Sequence, residues 1–508
     1  MIEPFYNSLW VILEWQNILA MLVGVIGGII FGAIPGLTAT MGIALLIPLT
    51  FGMSPLMALG MMAGIHNGGS YGGAIPAVLL RIPGTPGAIA TTFDGYPMAQ
   101  QGLAERALKI ACVSSAVGGM VSAVSLMTLS PPLAEFALAF GPPEIFWISL
   151  FGLSSIAVLL GSDPIKGLMA SCIGLLLGMV GLDHVTGYER FTFDTLELSG
   201  GLQLIVIMVG VYALPPAFQM AERAIMTGVK SKDLEFEGKS DMANWPWMQI
   251  FPAWVRANVI GIIIGILPGV GGVVGAFVAY NETKRSSKDP ESFGKGNPVG
   301  VAVAECANNA DNAAAMIPAL TLGVPGSGLA ALILAGLLIH GLEPGPRLFK
   351  EAPDVVYGYM WAMLFTSASL FVFGGIIATK LFANILRLAQ VQLMPVIIAL
   401  TVVGIYSFEN SIFNVYLMLA FGLFGYALER LKFPIAPLIL GLILGPKVEF
   451  NLRVALRLSQ DDWSILWTRP ISIALIILTA LVLAYPLISA LLHRKREGPE
   501  EEFAMGEE

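Results

Sequence analysis

The sequence predicts an all-α integral membrane protein of about ten to twelve transmembrane segments in two homologous repeats. First, the chain of 508 residues is 56% hydrophobic and only 12% charged, whereas soluble domains are about 25% charged. Second, apolar runs of membrane-spanning length recur along nearly the whole chain. Third, stretches in which proline and glycine interrupt apolar sequence recur at a fixed distance. These features exclude an ordinary soluble domain.

The apolar runs approach the roughly 17 to 25 residues that a helix needs to cross a bilayer, although some are short or interrupted. In chain order they include 18–34, 145–160, 165–182, 202–218, 359–378, 396–406, 415–428 and 471–492. We expect no cleavable signal peptide, because Met1-Ile2-Glu3-Pro4 contains no basic region and no small-residue cleavage site follows. The first helix would then direct membrane insertion.

Composition divides the chain into five predicted parts. Residues 1–16 form an amphipathic surface helix, and residues 17–221 form the first membrane repeat. Residues 222–256 form a polar connecting loop. Residues 257–492 form the second membrane repeat, and the charged tail 493–508 is expected to be disordered.

The positions of lysine and arginine predict the orientation. They concentrate in 223–256, in 281–297 and at 493–496. Because cytoplasmic loops are enriched in these residues, we expect all three stretches, and hence the C-terminus, to be cytoplasmic. The net charge of −8 arises mainly from six acidic residues after Arg496, so it says little about a ligand.

The duplication is visible in residues 74–84 and 316–326. Each stretch contains two prolines, and corresponding prolines are 242 residues apart, since 318 − 76 and 325 − 83 are equal. Upstream of each copy, 32–36 and 265–269 contain a further Pro-Gly pair in apolar sequence. Paired, interrupted hydrophobic segments in two halves of a chain are typical of the substrate site of a secondary transporter.

Breaks of this kind have a chemical use. Proline removes a backbone N–H, and glycine permits dihedral angles that side chains forbid. A broken helix in a membrane leaves polar backbone groups that protein or a water-filled cavity must cover. Free N–H groups at helix starts favour anions and unwound carbonyls favour cations, which fits a carboxylate and a coupling cation. The alternative is that the breaks only kink their helices.

The stretch between Arg256 and Lys284 has two interpretations. If both residues lie on one side of the membrane, the chain must turn back at Pro268-Gly269 in a re-entrant hairpin. Each arm would then have only about a dozen residues, short for a hydrocarbon core of roughly 30 Å. The alternative is one broken spanning helix.

Polar residues also recur in register. The offset of 242 aligns 66–70 with 308–312 and matches Asn67 with Asn309. Amide side chains both donate and accept hydrogen bonds, which suits carboxylates, hydroxyls or sodium. The alternative is a solvated loop, but the apolar flanks 299–304 and 313–322 argue against it.

Two carboxylates lie in this apolar stretch, and an ionisable residue inside a membrane segment indicates function. Glu305 and Asp311 are six residues apart, so a continuous helix would direct them to opposite faces. One could bind a cation while the other packs elsewhere. Asp311 is the first choice for a sodium or proton ligand.

The ordered motifs resemble the large membrane subunit of the tripartite tricarboxylate transporter family. The motifs are 32–38, 66–87, Phe293-Gly294-Lys295-Gly296, 305–312, 317–326 and 340–346. The resemblance covers almost the whole chain. It implies a bacterial inner-membrane carrier with a small four-helix membrane subunit and a periplasmic solute-binding protein. Organic acids such as citrate or related dicarboxylates would be taken up on a sodium or proton gradient.

These patterns predict a substrate site where the breaks of both halves meet. The outer breaks are Pro35, Gly36, Pro268 and Gly269, and the inner breaks are Pro83, Gly84, Thr85, Pro325, Gly326 and Ser327. The other predicted substrate-binding residues are Thr38, Asn67, Ser70, Arg81, Asn308, Asn309 and Asn312. Asn309 and Asp311 are the predicted coupling-ion ligands.

Arg81 has no cationic counterpart in the second half, where Gly323 stands. Arg81 could pair with a substrate carboxylate. The alternatives are that it extends to a membrane interface or pairs with Asp94 or Glu105.

An integral membrane enzyme and a channel are the alternative classes of function. An integral membrane enzyme could use Glu305 and Asp311, but no aspartate-rich metal motif or nucleophile beside a histidine occurs. A channel could also use helix breaks around a pore. The duplication favours a carrier over both, so we expect neither enzyme activity nor a cofactor beyond the transported ion.

Overall fold

A computed structural model of the chain describes residues 2–34, 37–159, 163–183, 186–227, 245–377 and 390–496. The chain is 80% helical, which confirms the predicted all-α class. The short antiparallel pair β1 (Gly181–Leu182) and β2 (Glu189–Arg190) lies in a loop. The helices of the first half are α1 (Ile2–Ile12), α2 (Trp15–Ala33), α3 (Ala39–Thr50), α4 (Pro55–Gly72), α5 (Ala74–Leu80), α6 (Thr91–Gln100), α7 (Ala104–Ala137), α8 (Pro142–Leu159), α9 (Pro164–Leu177), α10 (Leu196–Ser199) and α11 (Leu204–Thr227).

The second half begins with α12 at Trp247, inside the predicted connecting loop. Its helices are α12 (Trp247–Ile266), α13 (Gly271–Ser286), α14 (Pro298–Ala314), α15 (Met316–Leu322), α16 (Gly328–Ile339), α17 (Leu348–Glu351), α18 (Pro353–Val372), α19 (Gln390–Glu409), α20 (Ile412–Arg430), α21 (Ile435–Leu458), α22 (Ile465–Thr468) and α23 (Pro470–Arg496). Turns of 3₁₀ helix occupy Pro86–Ile89 and Pro290–Ser292, and a π-helical turn follows α18 at Phe373–Ile377.

Among the described residues, eight helices are long and apolar enough to cross a membrane. Shorter apolar helices such as Ala39–Thr50 and Gly328–Ile339 accompany them. The predicted α1 surface helix is amphipathic in the structure. Phe5 packs on Trp361 of α18 with ring centroids 4.8 Å apart, while Trp10 is 71% exposed.

The outer break of the second half, Pro268-Gly269, lies at the tip of a helical hairpin. α12 has 20 residues and α13 has 16, and Arg256 in the middle of α12 donates from Nη1 to Ser286 Oγ at the end of α13, at 2.5 Å. The chain therefore returns to the side from which it entered, as in the hairpin alternative. The arms are longer than the dozen residues expected, because α12 starts before Arg256 and α13 includes the polar residues up to Ser286.

α2 and α3 form the corresponding hairpin in the first half. Phe31 on α2 lies against Gly42 on α3, where an added Cβ would be 2.8 Å from the Phe31 ring. Pro35 and Gly36 at its tip lie outside the described residues.

Helices α4 and α14 begin in the same way. Ser54 caps α4 by accepting the Met57 N–H, and Asn297 caps α14 by accepting the Val299 N–H at 2.8 Å. In each helix a proline occupies the first turn, where its missing N–H costs no hydrogen bond.

α5 and α15 also end in the same way. Arg81 and Gly323 follow them in the left-handed region, with φ of 59° and 70°. Such a residue commonly terminates a helix, and glycine is the usual choice. The chain then turns back toward the start of the short helix it has just left: Gly84 N–H donates to Gly73 O, and Gly326 N–H donates to Ala315 O.

The long helices α7 and α18 lie side by side and run in opposite directions. Gly119 of α7 is next to Ser367 of α18, and the Cys112 thiol donates to Leu370 O at 3.1 Å. Residue numbers therefore fall along α7 as they rise along α18.

Each of these two helices is parallel to a helix of the other half. Asn67 of α4 bonds Thr366 of α18, and farther along both helices Tyr71 bonds Gly374 O. Ser115 of α7 bonds Glu305 of α14, and farther along Ser122 of α7 bonds the backbone of α14. Because α7 and α18 are antiparallel, α4 and α14 also run in opposite directions.

The inner glycines bring three segments of backbone together. A Cβ on Gly84 would lie 2.1 Å from Gly32 O and 2.9 Å from Gly73 Cα. In the second half a Cβ on Gly326 would lie 2.8 Å from Gly265 O. Glycine is required here because two backbones meet with no room for a side chain.

We predict that Gly84→Ala lowers the stability of the folded protein, because the new methyl group would overlap the Gly32 carbonyl. Overpacking of this kind typically costs about 1–3 kcal/mol. Thermal unfolding of purified protein measures the effect. Gly27→Ala is the control, since a Cβ there meets nothing within 4 Å, and equal melting temperatures for the two variants would contradict the prediction.

Candidate functional site

Two residues at corresponding positions of the two halves touch each other in the interior. Ser70 Oγ of α4 donates to Asn312 Oδ1 of α14 at 3.0 Å, across a sequence distance of 242. Both side chains are buried, with 7% and 3% of their surface exposed. Corresponding residues can be in contact only where the two halves meet, so this pair marks the junction between them.

Three predicted amides surround the junction. Asn312 Nδ2 donates to Asn67 Oδ1 at 3.0 Å and makes a longer bond of 3.4 Å to Asn309 Oδ1. Asn67 in turn donates to Thr366 Oγ1 at 2.8 Å, and Asn309 donates to the Glu305 carbonyl of its own helix. The amides predicted to bind ligand therefore satisfy one another in this conformation and join α4, α14 and α18.

Asp311 and Asn308 lie on another side of α14, against the start of α13. Gly272, in the first turn of α13, lies beside Asp311, whose Cβ would be 3.2 Å from a Cβ on this glycine. Asn308 Oδ1 approaches Gly272 and also Gly87 of the first half, so closely that neither glycine could carry a Cβ. A carboxylate is favoured at a helix start, because the free N–H groups there are electropositive.

Some polar atoms here remain without a partner. Asp311 Oδ1, Asn308 Nδ2 and Thr85 Oγ1 are buried and have no hydrogen-bond partner within the described part of the chain. Buried polar atoms are normally paired, so such atoms indicate a site for water, an ion or substrate. Asp311 and Asn308 thus each have an atom free to form a hydrogen bond, whereas the amides around Asn312 bond one another.

Glu305 faces away from Asp311, as the six-residue spacing predicted. Its carboxylate is fully buried and accepts from Thr91 Oγ1 at 2.5 Å and from Ser115 Oγ at 2.9 Å. Burial throughout 305–312 excludes the solvated-loop alternative for this stretch. Among the described residues no group of three His, Cys, Asp or Glu side chains could hold a metal ion.

The structure brings the outer and inner breaks of the second half together. Gly269, with φ of 85°, donates its N–H to Gly326 O at 3.0 Å, and Pro268 and Pro325 are buried beside them. In the first half the corresponding approach is that of Gly84 to Gly32. The inner break of the second half therefore meets its outer break, and that of the first half meets the start of the stretch 32–36.

Hydroxyls beside the breaks have unequal roles. Thr38 caps α3 and Ser327 caps α16, each accepting a backbone N–H at 3.2 Å. Thr85 precedes the 3₁₀ turn at the position that corresponds to Ser327, but its Oγ1 makes no such bond. Thr85 Oγ1 thus has no hydrogen-bond partner among the described residues, while the Thr38 and Ser327 hydroxyls accept one bond each and keep their own hydrogen for donation.

Arg81 lies apart from the amide junction. It is exposed at the end of α5, eleven residues beyond Ser70, a rise of about 16 Å along a helix. Its guanidinium lies 5.8 Å from the centre of the Tyr96 ring. The two acidic residues that could have paired with Arg81 have other partners. Backbone N–H groups donate to Asp94, and Glu105 pairs with Lys109 at 2.8 Å.

Lys447 is a cation that the sequence analysis missed. Its Nζ lies 3.1 Å from the place of a Cβ on Gly323, the position that corresponds to Arg81, and it donates weakly to Pro344 O at 3.4 Å. The second half thus has a cation at this position, supplied by α21. The sequence feature that could have identified Lys447 is its position directly after Pro446, at the end of an apolar stretch.

Comparison with known proteins agrees with this architecture. Residues 18–440 match the family model described as the tripartite tricarboxylate transporter TctA family. The chain is 36% identical over 464 residues, 91% of each chain, to an Agrobacterium vitis protein described as "Uncharacterized 52.8 kDa protein in TAR-I ttuC' 3'region". It is also 36% identical over 216 residues to an "Uncharacterized protein in TAR-II ttuC' 3'region" of the same organism, covering 42% of this chain and 89% of that protein.

The fold and the polar junction define a multi-pass membrane protein of the transporter class. The chain belongs to the tripartite tricarboxylate transporter TctA family. The members of this family are transporters. Membership confirms the prediction that the chain is the large subunit of a tricarboxylate transporter.

We predict that Asn312→Ala destabilises the protein by about 1–3 kcal/mol, because Ser70 and Asn67 would lose a buried partner. Ser70→Ala should cost less, because Asn312 would still donate to Asn67 and Asn309. Thermal unfolding of both variants and the double variant gives their coupling energy. Additive effects would show that the contact between the halves contributes nothing.

Proposed function

We propose that this chain is the translocating subunit of a binding-protein-dependent secondary transporter for organic acid anions. Tricarboxylates such as citrate, or related dicarboxylates, are the proposed substrates, and a sodium or proton gradient is the proposed driving force. The observation that carries the proposal is the buried Ser70–Asn312 contact between corresponding positions, next to free polar atoms on Asp311 and Asn308. A channel or an enzyme has no comparable need for two matched halves.

We propose further that the two halves are inverted repeats. α7 and α18 follow corresponding elements in the two halves, yet they run in opposite directions, as do α4 and α14. The hairpins α2–α3 and α12–α13 then open toward opposite sides of the membrane. Two halves related in this way can expose a shared site alternately to each side.

The coupling ion is proposed to bind at Asp311. Its free oxygen, Oδ1, lies where α12, α13 and α14 meet, close to Gly265. The neighbouring Asn308 supplies a further oxygen, Oδ1, which lies beside Gly272 at the start of α13. A cation here would offset part of the negative charge of a carboxylate substrate.

Substrate carboxylates are proposed to bind at the helix starts next to the breaks. The candidates are the 3₁₀ turn that begins after Thr85 and helix α16, which begins after Ser327. N–H groups at a helix start attract anions. Asn67, Asn309 and Asn312 would have to exchange their present hydrogen bonds for bonds to substrate, which requires a movement of α4 relative to α14.

The proposed partners are a small four-helix membrane subunit and a periplasmic solute-binding protein. The proposed location is the bacterial inner membrane, with the C-terminus in the cytoplasm. Support for this orientation comes from the concentration of lysine and arginine in the sequence stretches 223–256 and 281–297.

Uptake into vesicles tests the proposed function. The vesicles contain this chain with its candidate small subunit and binding protein, and radiolabelled di- and tricarboxylates are offered with and without a sodium or proton gradient. We expect accumulation that needs both the binding protein and one gradient. Equilibration without accumulation would indicate a channel, and chemical conversion of the acid would indicate an enzyme.

We predict that Asp311→Asn raises the coupling-ion concentration needed for half-maximal uptake by at least about tenfold, because a neutral amide replaces a charged ligand. Initial uptake rates at graded cation concentrations measure this. Glu282→Gln is the control, since Glu282 forms an exposed ion pair with Arg285. Unchanged cation dependence in Asp311→Asn would remove Asp311 from the coupling site.

A further inference from the structure

The carboxylate of Asp94 on α6 is buried in a ring of backbone donors from the other half of the chain. Its Oδ1 accepts the N–H groups of Gly294, Gly296 and Asn297 at 2.8, 2.9 and 2.8 Å. Asp94 has no exposed surface. Three backbone N–H groups thus donate to one carboxylate oxygen, and charge-assisted hydrogen bonds of this kind are strong.

The second carboxylate oxygen of Asp94 also accepts a buried hydrogen bond. Tyr280 of α13 donates its hydroxyl to Asp94 Oδ2 at 2.7 Å. The Tyr280 ring packs edge-on against Phe93 and Phe293, with centroids 5.3 and 5.6 Å away. A Cβ on Gly300 would lie 2.1 Å from Oδ2, so glycine at 300 is a condition for this carboxylate to fit.

The loop that binds Asp94 is built for an anion. Gly294 and Gly296 have φ of 87° and 102°, in the region that favours glycine. Successive N–H groups in such a loop converge on one point and form a nest for negative charge. The loop contains the motif 293–296 and leads directly into α14 at Pro298, so whatever fixes the loop also fixes the start of α14.

A second contact joins the same two helices. Thr91, one turn before Asp94 on α6, donates to Glu305 of α14 at 2.5 Å. Glu305 lies two turns into α14, beyond the loop. α6 therefore holds α14 at its start and again near its middle, each time through a buried carboxylate.

The two halves differ at the position of Asp94. The offset of 242 aligns Phe51-Gly52 with Phe293-Gly294, but it aligns Asp94 with Gly336. Gly336 lies instead against the Met62 side chain. Within the described part of the chain, α4 thus has a contact between Met62 and Gly336, whereas the start of α14 has the Asp94 contact.

We propose that Asp94 is a positioning residue: its carboxylate fixes the start of α14 and thereby sets where Asp311 and Asn312 lie against their partners. α14 is a continuous helix from Pro298 to Ala314, so a displacement at its start moves residues about 20 Å away. The consequence for transport depends on the proposed function, whereas the effect on α14 does not.

Hydrogen exchange of the purified full-length chain in lipid nanodiscs tests this, in peptides covering 293–298 and 270–274. In Asp94→Asn we expect exchange to become at least about tenfold faster at 294–297, which lose a charged acceptor. We expect faster exchange also at the Gly272 amide, because Gly272 lies beside the Asp311 and Asn308 side chains of α14. Gly300→Ala should act in the same direction, because it displaces the carboxylate without removing it.

Tyr280→Phe and Glu105→Gln are the controls. Tyr280→Phe removes one hydrogen bond and keeps the ring, so its effect should be smaller than that of Asp94→Asn. Glu105 pairs with Lys109 near the surface, and its change should leave both peptides unaffected. Faster exchange confined to 294–297 would reduce Asp94 to a local anchor and overturn the proposal, as would unchanged exchange in both peptides.

Uptake kinetics add the functional consequence. We expect Asp94→Asn to raise the KM for the transported acid and for the coupling ion by about fivefold or more, with a smaller change in maximal rate. A fall in maximal rate alone, at unchanged KM, would contradict a positioning role. If the unmodified chain transports no organic acid, the proposed function fails, while the exchange at Gly272 still decides the role of Asp94.

Discussion

Every backbone polar group inside a membrane protein needs a partner within the protein, and the rest of this structure depends on how the helix breaks meet that requirement. The inner break of each half turns back onto the helix just completed, so that Gly84 N–H bonds Gly73 O and Gly326 N–H bonds Ala315 O. In the second half, Gly269 N–H also bonds Gly326 O. Glycine is needed at these places because backbone packs directly on backbone.

The two halves share this scaffold but differ in the charges placed on it. Position 311 carries aspartate where the first half has Gly69, and position 94 carries aspartate where the second half has Gly336. Asp94 accepts backbone N–H groups just before the start of α14, and Asp311 lies beside Gly272 at the start of α13. The matched helix ends thus provide a common framework, while residues that differ between the two halves provide the polar chemistry that a ligand would meet.

Much of the fold and part of the site could be predicted. The hydrophobic pattern predicted the all-α membrane class, and the spacing of Glu305 and Asp311 predicted their opposite directions, because helical geometry is local. The hairpin at Pro268-Gly269 stayed undecided, since the sequence did not reveal that Arg256 would meet Ser286. Lys447 and the Asp94 contact were missed, because their partners are about a hundred or more residues away in the chain.

The sequence by itself determined the membrane class, the matched breaks and the polar residues that accompany them, because composition, periodicity and the offset of 242 are properties of the chain alone. Only the tertiary structure decided which of those residues remain free to bind. Asn67, Asn309 and Asn312 satisfy one another, whereas Asp311 and Asn308 keep unpartnered atoms among the described residues. Pairing depends on how α4, α13 and α14 pack, and that packing brings together segments far apart in sequence.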